Sequence, residues 1–227
     1  MNVVLDNLDL VGWAFAHTVL LFVFSGVLSM LLGTVLVAMR VGPVAVLRRA
    51  AAVYVALVRN TPLLIVLMFF QFAAPKIGIT FNFIRVEWGE ISMTSFFAAA
   101  VVSLTLYTSA FVCEALRSGV NAVPLGQAEA ARSIGLPFAD VMREVVLPQA
   151  LRASVPPLAS VQIALLKNTT VAGVFGVAEA FNQMRAFTNN FSSERFGIFV
   201  AFALIFVVLV EIVSFFASRL ERRWRIA

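Results

Sequence analysis

The chain has 227 residues, of which 61% are hydrophobic and only 13% are charged, and its formal net charge is +5. Because soluble domains are about 45–50% apolar, this composition excludes an ordinary soluble globular protein and indicates helices that face lipid. The basic pI of about 10.3 does not indicate a nucleic-acid partner, because the arginines lie beside long apolar runs, where membrane topology explains them.

Five apolar runs reach the length of about 20 residues that a transmembrane helix needs. In chain order they cover residues 11–39, 50–74, 94–116, 156–177 and 196–218. Polar residues interrupt three of them: Arg59-Asn60-Thr61-Pro62 in the second, Lys167-Asn168-Thr169-Thr170 in the fourth, and Glu211 in the fifth. With no internal repeat and no low-complexity linker, the runs predict an all-α membrane protein of about five transmembrane helices, folded as a single domain over residues 1–227.

Arginine is distributed unevenly between the two ends of the predicted spans. Residues 40–49, 117–152 and 219–227 fall on one side and contain eleven Arg. The loops at 75–93 and 178–195 contain Lys76, Arg85, Arg185 and Arg195. By the positive-inside rule the first group is cytoplasmic. We therefore predict a multi-pass protein of the cell membrane with its N-terminus outside and its C-terminus in the cytoplasm.

The cytoplasmic segment at residues 124–148 is too polar to lie in lipid, and we predict two short helices within it. Gly135 ends the first of them in the manner of a helix C-cap. We expect Leu147-Pro148 to break the chain before the fourth span, and Pro156-Pro157 to set the start of that span. On helical pattern alone, an ordinary amphipathic loop is the simpler interpretation of this segment.

The spacing within this segment resembles the cytoplasmic signature of ABC importer permeases: Glu-Ala-Ala, three residues, Gly, nine residues, an aliphatic residue, one residue, then Leu-Pro. The matching residues are Glu129-Ala130-Ala131, Gly135, Val145 and Leu147-Pro148, with Val145 where Ile is commoner. In that family the segment is the coupling helix, which docks in a groove of the ATPase subunit. The resemblance implies that role for Glu129, Ala130, Ala131, Arg132, Gly135, Leu147 and Pro148.

Further motifs narrow the resemblance to the polar amino-acid (His/Glu/Gln) permeases. The stretch at 59–64 resembles their Arg-Gly-Thr-Pro-Leu-Leu, and residues 110–117 resemble their Ala-Tyr-x-x-Glu-x-x-Arg. The stretch at 165–170 resembles Leu-Leu-Lys-Asp-Thr-Ser, and residues 176–179 match Gly-Val-x-Glu. The forms Arg-Asn-Thr-Pro and Lys-Asn-Thr-Thr look most similar to the glutamate-uptake permeases of actinobacteria.

This resemblance implies the fold of a type I ABC importer permease in a bacterial inner or plasma membrane. It also implies ATP-driven import of a polar amino acid, with glutamate favoured and glutamine or aspartate as alternatives. The implied partners are an ABC ATPase dimer, a second permease (identical or homologous), an extracytoplasmic substrate-binding protein and membrane lipid, with no nucleic acid.

Motifs for nucleotide binding and for metal binding are missing from the sequence. There is no Gly-x4-Gly-Lys-Ser/Thr phosphate loop, so we expect the chain not to be an enzyme, and ATP-Mg to be bound and hydrolysed by the partner ATPase. His17, which is the single histidine, stands in an apolar run without a cluster of metal ligands. We therefore expect no cofactor, no metal and no catalytic residue in this chain.

Two cations lie deep within predicted spans, where a charge without a partner indicates function. Counted from the starts of their spans, Lys167 lies roughly 16 Å deep and Arg59 roughly 14 Å deep, near the middle of a core about 30 Å thick. Two cations at similar depth predict a site for an anionic group. The predicted substrate-binding residues are Lys167, Asn168, Thr169, Thr170, Arg59 and Thr61.

Internal ion pairs are the alternative interpretation of these cations. Glu114, Glu179 or Glu211 would neutralise either of them, although Glu114 is expected to pair with Arg117, three residues away. If such pairs form, the cations stabilise the fold and do not bind substrate.

The polar residues beside Lys167 also have two interpretations. The hydroxyls of Thr169 and Thr170 would contact a substrate, or they would bond back to the helix backbone. Asn168 stands where the family has Asp, and the loss of that negative charge leaves Lys167 better suited to an acidic substrate.

Two other classes of function stay open at this point. A gradient-driven secondary amino-acid carrier would need no ATPase, but it usually has inverted repeats and ion-relay carboxylates in its spans, which this sequence lacks. A structural membrane subunit would not require the midplane cations. Co-purification of a stoichiometric nucleotide-binding subunit distinguishes a permease from both.

Overall fold

The computed structural model describes residues 2–81, 86–88 and 91–224. Its helices are α1 (Asn2–Asp6), α2 (Leu8–Val41), α3 (Ala45–Arg59), α4 (Leu63–Met68), α5 (Ser95–Asn121), α6 (Leu125–Ser133), α7 (Phe138–Asp140), α8 (Leu147–Gly173), α9 (Ala180–Asn190) and α10 (Arg195–Trp224). Two π turns (Phe69–Ala73 and Val141–Val146) and two 3₁₀ turns (Ala74–Ile77 and Ser192–Glu194) extend or join them. The prediction of an all-α fold is confirmed.

A short hairpin is the departure from helix within the described residues. Strand β1 (Val86–Trp88) pairs antiparallel with β2 (Ile91–Met93), and Glu87 lies opposite Ser92. From the sequence, this region is expected to be part of an outer loop. Arg85 of that predicted loop lies outside the described residues.

Three stretches of the described chain are long and apolar enough to cross a membrane: α2, α5 and Ser192–Trp224, which contains α10. The pair α3 and α4, with the turns that follow α4 to Ile77, makes a fourth if it is one broken span. The fourth predicted run lies in α8, which is 27 residues long but carries polar residues such as Arg152 and Lys167. The predicted runs therefore lie in helices, and the helix that holds the fourth run begins earlier than expected.

The second predicted run, residues 50–74, is not one continuous helix. α3 ends at Arg59, α4 begins at Leu63, and the helix directions before and after this break differ by 101°. Pro62 explains the break, because its ring fixes φ and its nitrogen has no hydrogen to donate to the preceding turn. The residue before a proline is also held out of the helical region. The polar interruption of the second run is therefore a break between two helices.

α8 begins earlier than its prolines suggested. Pro148 lies in its first turn, where a missing N–H is tolerated, and the π turn Val141–Val146 leads directly into the helix. Leu147-Pro148 therefore does not break the chain, contrary to the prediction. Pro156-Pro157 lie inside α8, so the predicted helix start is also wrong. Neighbouring groups satisfy the carbonyls that prolines leave free in membrane helices, which allows this arrangement.

α5 lies at the centre of the fold, in contact with α2, α3, α4 and α8. In its most apolar part 61% of the residues are buried, against 11% in the span that contains α10. The main core joins Leu21 of α2, Leu67 of α4, Leu104 of α5 and Leu165 of α8. α10 therefore lies at the edge of the fold, where its apolar face is exposed.

Two glycines allow α5 to approach its neighbours closely. A Cβ atom on Gly33 of α2 would overlap the side chain of Val112. A Cβ atom on Gly119 of α5 would overlap the Ser154 hydroxyl and the Ala150 carbonyl oxygen of α8. Small residues at helix contacts are typical of membrane proteins, in which close packing holds helices together.

Candidate functional site

A cavity of about 330 Å³ lies between the middle of α5 and α8. It is lined by Tyr107, Thr108, Phe111, Ser160, Val161, Ala164, Leu165 and Asn168. Hydroxyl and amide groups beside aromatic and aliphatic side chains are typical of a pocket for a small polar molecule. Of the six predicted substrate-binding residues, Asn168 lines this cavity, and we call it the α5–α8 cavity.

The residues next to Asn168 differ in their exposure and in their hydrogen bonds. Lys167 is exposed, and no carboxylate among the described residues lies within ion-pair distance of it. Thr169 is buried and donates its hydroxyl hydrogen to the carbonyl oxygen of Leu166 at 2.7 Å. Thr170 donates in the same way to the carbonyl oxygen of Lys167 at 2.8 Å. Both hydroxyls bond back to the backbone, as the alternative interpretation expected, and keep only acceptor capacity for other groups.

Glu114 of α5 is surrounded by three arginines. Its carboxylate bonds Arg40, near the end of α2, and Arg117, whose Nη2 lies 3.1 Å from Oε2. Arg59 Nη1 lies 3.9 Å from the same Oε2. The expected pair of Glu114 with Arg117 is confirmed, and Glu114 also lies within ion-pair distance of Arg59. Three guanidiniums around one carboxylate leave two positive charges in excess; we call these four residues the Glu114 cluster.

The depth estimates predicted that Arg59 and Lys167 lie at the same level. The structure does not place Arg59 at the level of Lys167. The packing of α3 on α5 places its guanidinium beside Glu114, which is roughly 10 Å along α5 from Tyr107 of the α5–α8 cavity. The Cζ atom of Arg59 also lies 5.7 Å from the centre of the Phe111 ring. Phe111 therefore both lines the cavity and lies beside Arg59. Contact between Arg59 and substrate stays a prediction.

Two other polar residues from the sequence analysis lie apart from the cavity lining. Thr61, in the turn between α3 and α4, donates its hydroxyl hydrogen to the carbonyl oxygen of Leu57 at 2.8 Å. Glu211 is exposed on α10 and forms no ion pair with the described residues. Thr61 as a substrate contact also stays a prediction, and Glu211 does not neutralise either cation.

Glu179 holds the turn between α8 and α9. It is fully buried and caps α9, because its Oε1 accepts the backbone N–H of Asn182 at 2.9 Å. A Cβ atom on Gly173 would overlap this carboxyl, so glycine is required at that position. Next to it, the backbone N–H of Ala180 donates to Thr18 Oγ1 at 3.1 Å, which ties the turn to α2. Glu179 therefore has a structural role and does not neutralise Lys167.

Burial raises the pKa of Glu179 to about 7, although hydrogen bonds from the backbone of Phe181 and Asn182 lower it. The unfolded chain has the ordinary pKa of about 4.5. Between these two values the folded state binds more protons, so the free energy of unfolding falls as the pH rises from about 4.5 to 7. We expect the purified protein to melt at a higher temperature at pH 5 than at pH 8.

The variant Glu179→Gln tests this prediction, because it keeps the size of the side chain and its capping oxygen but does not titrate. Its free energy of unfolding should lack this pH-dependent part, which is at most about 3 kcal/mol for a shift of this size. The measurement is thermal unfolding of both forms at the two pH values. If the variant keeps the full pH dependence of the wild type, Glu179 is not its source.

The segment 124–148 forms a small unit with its own core. Ala131 of α6 packs with Val141 and Val146 of the π turn. Gly135 has a φ of +91° and ends α6: its N–H donates to the Arg132 carbonyl at 2.9 Å, and the next N–H bonds the Ala131 carbonyl at 3.2 Å. This is the Schellman arrangement, for which glycine is the preferred residue. The predicted C-cap at Gly135 is confirmed.

The outer surface of this segment is exposed. Of the residues with a predicted coupling role, Ala131 is buried in the small core, whereas Glu129, Ala130, Arg132, Gly135, Leu147 and Pro148 are exposed. Three large apolar side chains are exposed around them: Leu125 by 82%, Ile134 by 79% and Phe138 by 67%. Exposed apolar side chains grouped among polar ones indicate a surface that contacts another protein. We call this the coupling surface.

Some residues of both the cavity and the coupling surface are not predicted from the sequence. Ser160, Ala164 and Asn168 follow one another at intervals of four along α8, and this spacing on one helix face was the available signal. For the coupling surface the signal was the large apolar residues Ile134 and Phe138 in a segment assigned to water. No comparable sequence signal pointed to Tyr107 and Thr108.

Comparison with known proteins gives consistent matches over most of the chain. The family model described as "Binding-protein-dependent transport system inner membrane component" matches residues 27–226. A glutamate transport system permease protein of Corynebacterium efficiens is 46% identical over 201 residues, which are 86% of each chain. The protein of the same description from Corynebacterium glutamicum is 42% identical over 92% of each chain. A probable glutamine ABC transporter permease protein of Bacillus subtilis is 36% identical over 96% of this chain and 95% of its own length.

Solved structures agree with these matches. A crystal structure of an amino acid ABC transporter with histidines superposes with a TM-score of 0.84 at 27% sequence identity, over 96% of both chains. An inward-facing methionine ABC transporter gives a TM-score of 0.69 at 22% identity, over 96% of both chains, which supports the fold alone.

Proposed function

The chain belongs to the family of binding-protein-dependent transport system inner membrane components, as a permease of an ABC amino-acid importer, and we propose that its substrate is glutamate. The names of the two Corynebacterium relatives support this substrate. The name of the Bacillus relative supports glutamine, an amino acid of similar size, as the alternative substrate. Nothing supports the gradient-driven carrier that the sequence left open.

We propose that an ABC ATPase dimer binds the coupling surface and supplies the energy from ATP-Mg. The exposed Glu129 and Arg132 offer charges to such a partner, and Ile134 and Phe138 offer apolar area. A second permease, identical or homologous, and an extracytoplasmic substrate-binding protein complete the transporter. In this arrangement the coupling surface and the C-terminus are cytoplasmic and the N-terminus is outside, as the arginine distribution predicts.

ATP closes the ATPase dimer and moves the two coupling surfaces together, which switches the spans from inward-open to outward-open. The binding protein then delivers substrate, and hydrolysis of ATP restores the inward-open form and releases substrate to the cytoplasm. The break at Pro62 and the prolines inside α8 are places where helices can bend during this cycle.

We propose that glutamate binds in the α5–α8 cavity. Asn168 supplies an amide to the cavity, and Tyr107, Thr108 and Ser160 supply hydroxyl groups. Lys167, the preceding residue, is a cation that forms no ion pair with the described part of the chain, and a carboxylate of the substrate would neutralise it.

Residues around this cavity have secondary roles in the proposal. Arg59, at the far side of Phe111, adds positive charge near the cavity. Thr61, Thr169 and Thr170 are left as acceptors, because each hydroxyl hydrogen is already donated to the backbone. They are secondary because an acceptor cannot donate a hydrogen bond to a carboxylate.

Replacement of Asn168 with Asp tests the proposed substrate and its site. An added carboxylate in the cavity would repel an acidic substrate and neutralise Lys167, so we expect stimulation of ATPase activity by glutamate to fall about 10-fold or more. The measurement is ATPase activity of the reconstituted transporter with its binding protein, across glutamate, aspartate and glutamine.

Asn189→Asp is the matched control, because Asn189 is exposed on α9 and its substitution makes the same change of charge outside the cavity. It should keep the wild-type stimulation. Unchanged stimulation and unchanged preference in the Asn168 variant would remove this residue from the explanation of specificity. Preference for glutamine in the wild type would instead overturn glutamate as the substrate.

A further inference from the structure

A second large concavity lies between the first half of α8 and the end of α10, and Pro156 in its lining is one helical turn before Ser160 of the α5–α8 cavity. It encloses about 670 Å³ and is lined by Arg152 and Pro156 of α8 and by Ser218, Glu221, Arg222 and Trp224 of α10. It does not involve the residues of the coupling surface or of the Glu114 cluster. We call it the α8–α10 groove.

Two arginines from different helices line this groove. Arg152 and Arg222 are both exposed, and neither lies within ion-pair distance of a carboxylate among the described residues. Glu221 lines the same groove but does not pair with them. The Ser218 hydroxyl donates to the carbonyl oxygen of Phe215 at 2.9 Å, so it has no hydrogen left to donate. The available donors in the groove are therefore mainly the two guanidiniums, which are suited to a phosphate.

The groove is continuous with an exposed apolar surface. One to two turns before its α10 residues, Ile212, Phe215 and Phe216 are all about half exposed or more, and this span is the least buried of the candidate spans. Trp224 is itself 40% exposed at the end of the helix. Tryptophan and arginine at the end of a lipid-facing helix are typical of the membrane interface.

We propose that the α8–α10 groove binds the headgroup of an anionic phospholipid. The phosphate would accept hydrogen bonds from Arg152 and Arg222, and the acyl chains would lie along the exposed apolar side of α10. Basic pockets between membrane helices on the cytoplasmic side are suited to such headgroups. A free phosphate ion has the same charge but makes no use of the apolar side chains beside the groove. This site is independent of which amino acid the permease carries.

Lipid retention by the assembled transporter tests the proposal. Purified complex is mixed with equal amounts of phosphatidylglycerol and phosphatidylcholine, and the bound lipids are counted by native mass spectrometry. We expect the wild type to retain phosphatidylglycerol about 10-fold better than phosphatidylcholine, and the double variant Arg152→Gln/Arg222→Gln to lose this preference. The control Arg143→Gln/Arg185→Gln removes the same charge from two exposed arginines outside the groove, and it should retain the preference.

A second measurement places the lipid at this groove. In a transporter with Trp13→Phe and Trp88→Phe in this chain, a phosphatidylglycerol with brominated chains should quench the Trp224 fluorescence, and the brominated phosphatidylcholine should quench it less. This difference in quenching should disappear in the double variant Arg152→Gln/Arg222→Gln. Equal quenching by both lipids, or an unchanged preference in the double variant, would overturn the proposal. Displacement of the lipid by inorganic phosphate would also overturn the proposal, because it would indicate a phosphate site. A groove that another subunit covers in the complex would overturn it as well.

Discussion

Replacement of Glu129 with arginine is expected to reduce ATP-driven glutamate uptake at least about 10-fold while the permease still folds. Glu129 is exposed on α6 within the coupling surface and forms no ion pair with the described residues, and exposed substitutions usually change folding free energy by less than about 0.5 kcal/mol. Reversal of a charge that faces a partner costs several kcal/mol of binding through repulsion. The measurements are uptake into proteoliposomes and the amount of ATPase that co-purifies with the permease.

Asp9→Arg is the control for this charge reversal. Asp9 is an exposed carboxylate in the first turn of α2, at the predicted outer end of the chain, and it lies outside the coupling surface. Uptake by this variant should stay close to that of the wild type. Normal uptake by the Glu129 variant together with a full complement of ATPase would mean that the coupling surface is not where the ATPase acts.

The second large effect is expected at Gly119, where α5 touches α8. A Cβ atom there would overlap the Ala150 carbonyl oxygen and the Ser154 hydroxyl, and a backbone carbonyl cannot rotate away as a side chain can. Overpacking of this kind costs about 1–3 kcal/mol and occasionally more. We expect Gly119→Ala to lower the melting temperature of the purified permease, and Gly119→Val to abolish its accumulation in membranes.

Gly12→Ala provides the matched control for Gly119→Ala. Both glycines lie in long helices, but nothing lies within 4 Å of a Cβ atom at Gly12. Alanine has the higher helix propensity, so this variant should be as stable as the wild type or slightly more stable. Equal melting temperatures for the two alanine variants would show that the close approach of α5 and α8 tolerates a methyl group.

Local signals in the sequence predicted the elements whose cause is local. The Schellman end at Gly135 needs a residue with positive φ, and a glycine between a polar helix and Leu136-Pro137 indicates one. The pair of Glu114 with Arg117 follows from their spacing on one helix. The apolar runs likewise located the long helices, because lipid requires a minimum length of apolar chain.

Features that depend on three-dimensional packing could not be predicted in the same way. A proline marks a break, but the angle of 101° at Pro62 is set by how α3 and α4 pack on α5. The packing of α3 on α5 likewise places Arg59 beside Glu114, which a depth count along a straight helix cannot anticipate. The α5–α8 cavity combines residues more than 50 positions apart, Tyr107 and Ser160, whose proximity depends on how the two helices lie side by side.

The unbroken passage from the π turn Val141–Val146 into α8 joins the coupling surface to Asn168 by one helix. From Leu147 to Asn168 this helix is roughly 30 Å long. A tilt of about 10° at its cytoplasmic end would therefore displace the Asn168 amide by about 5 Å, if the helix stayed straight. Pro156 and Pro157 each lack a backbone N–H, so flexing is expected to concentrate there. The stiffness of α8 at these two prolines would then determine how far a movement of the ATPase displaces the substrate site.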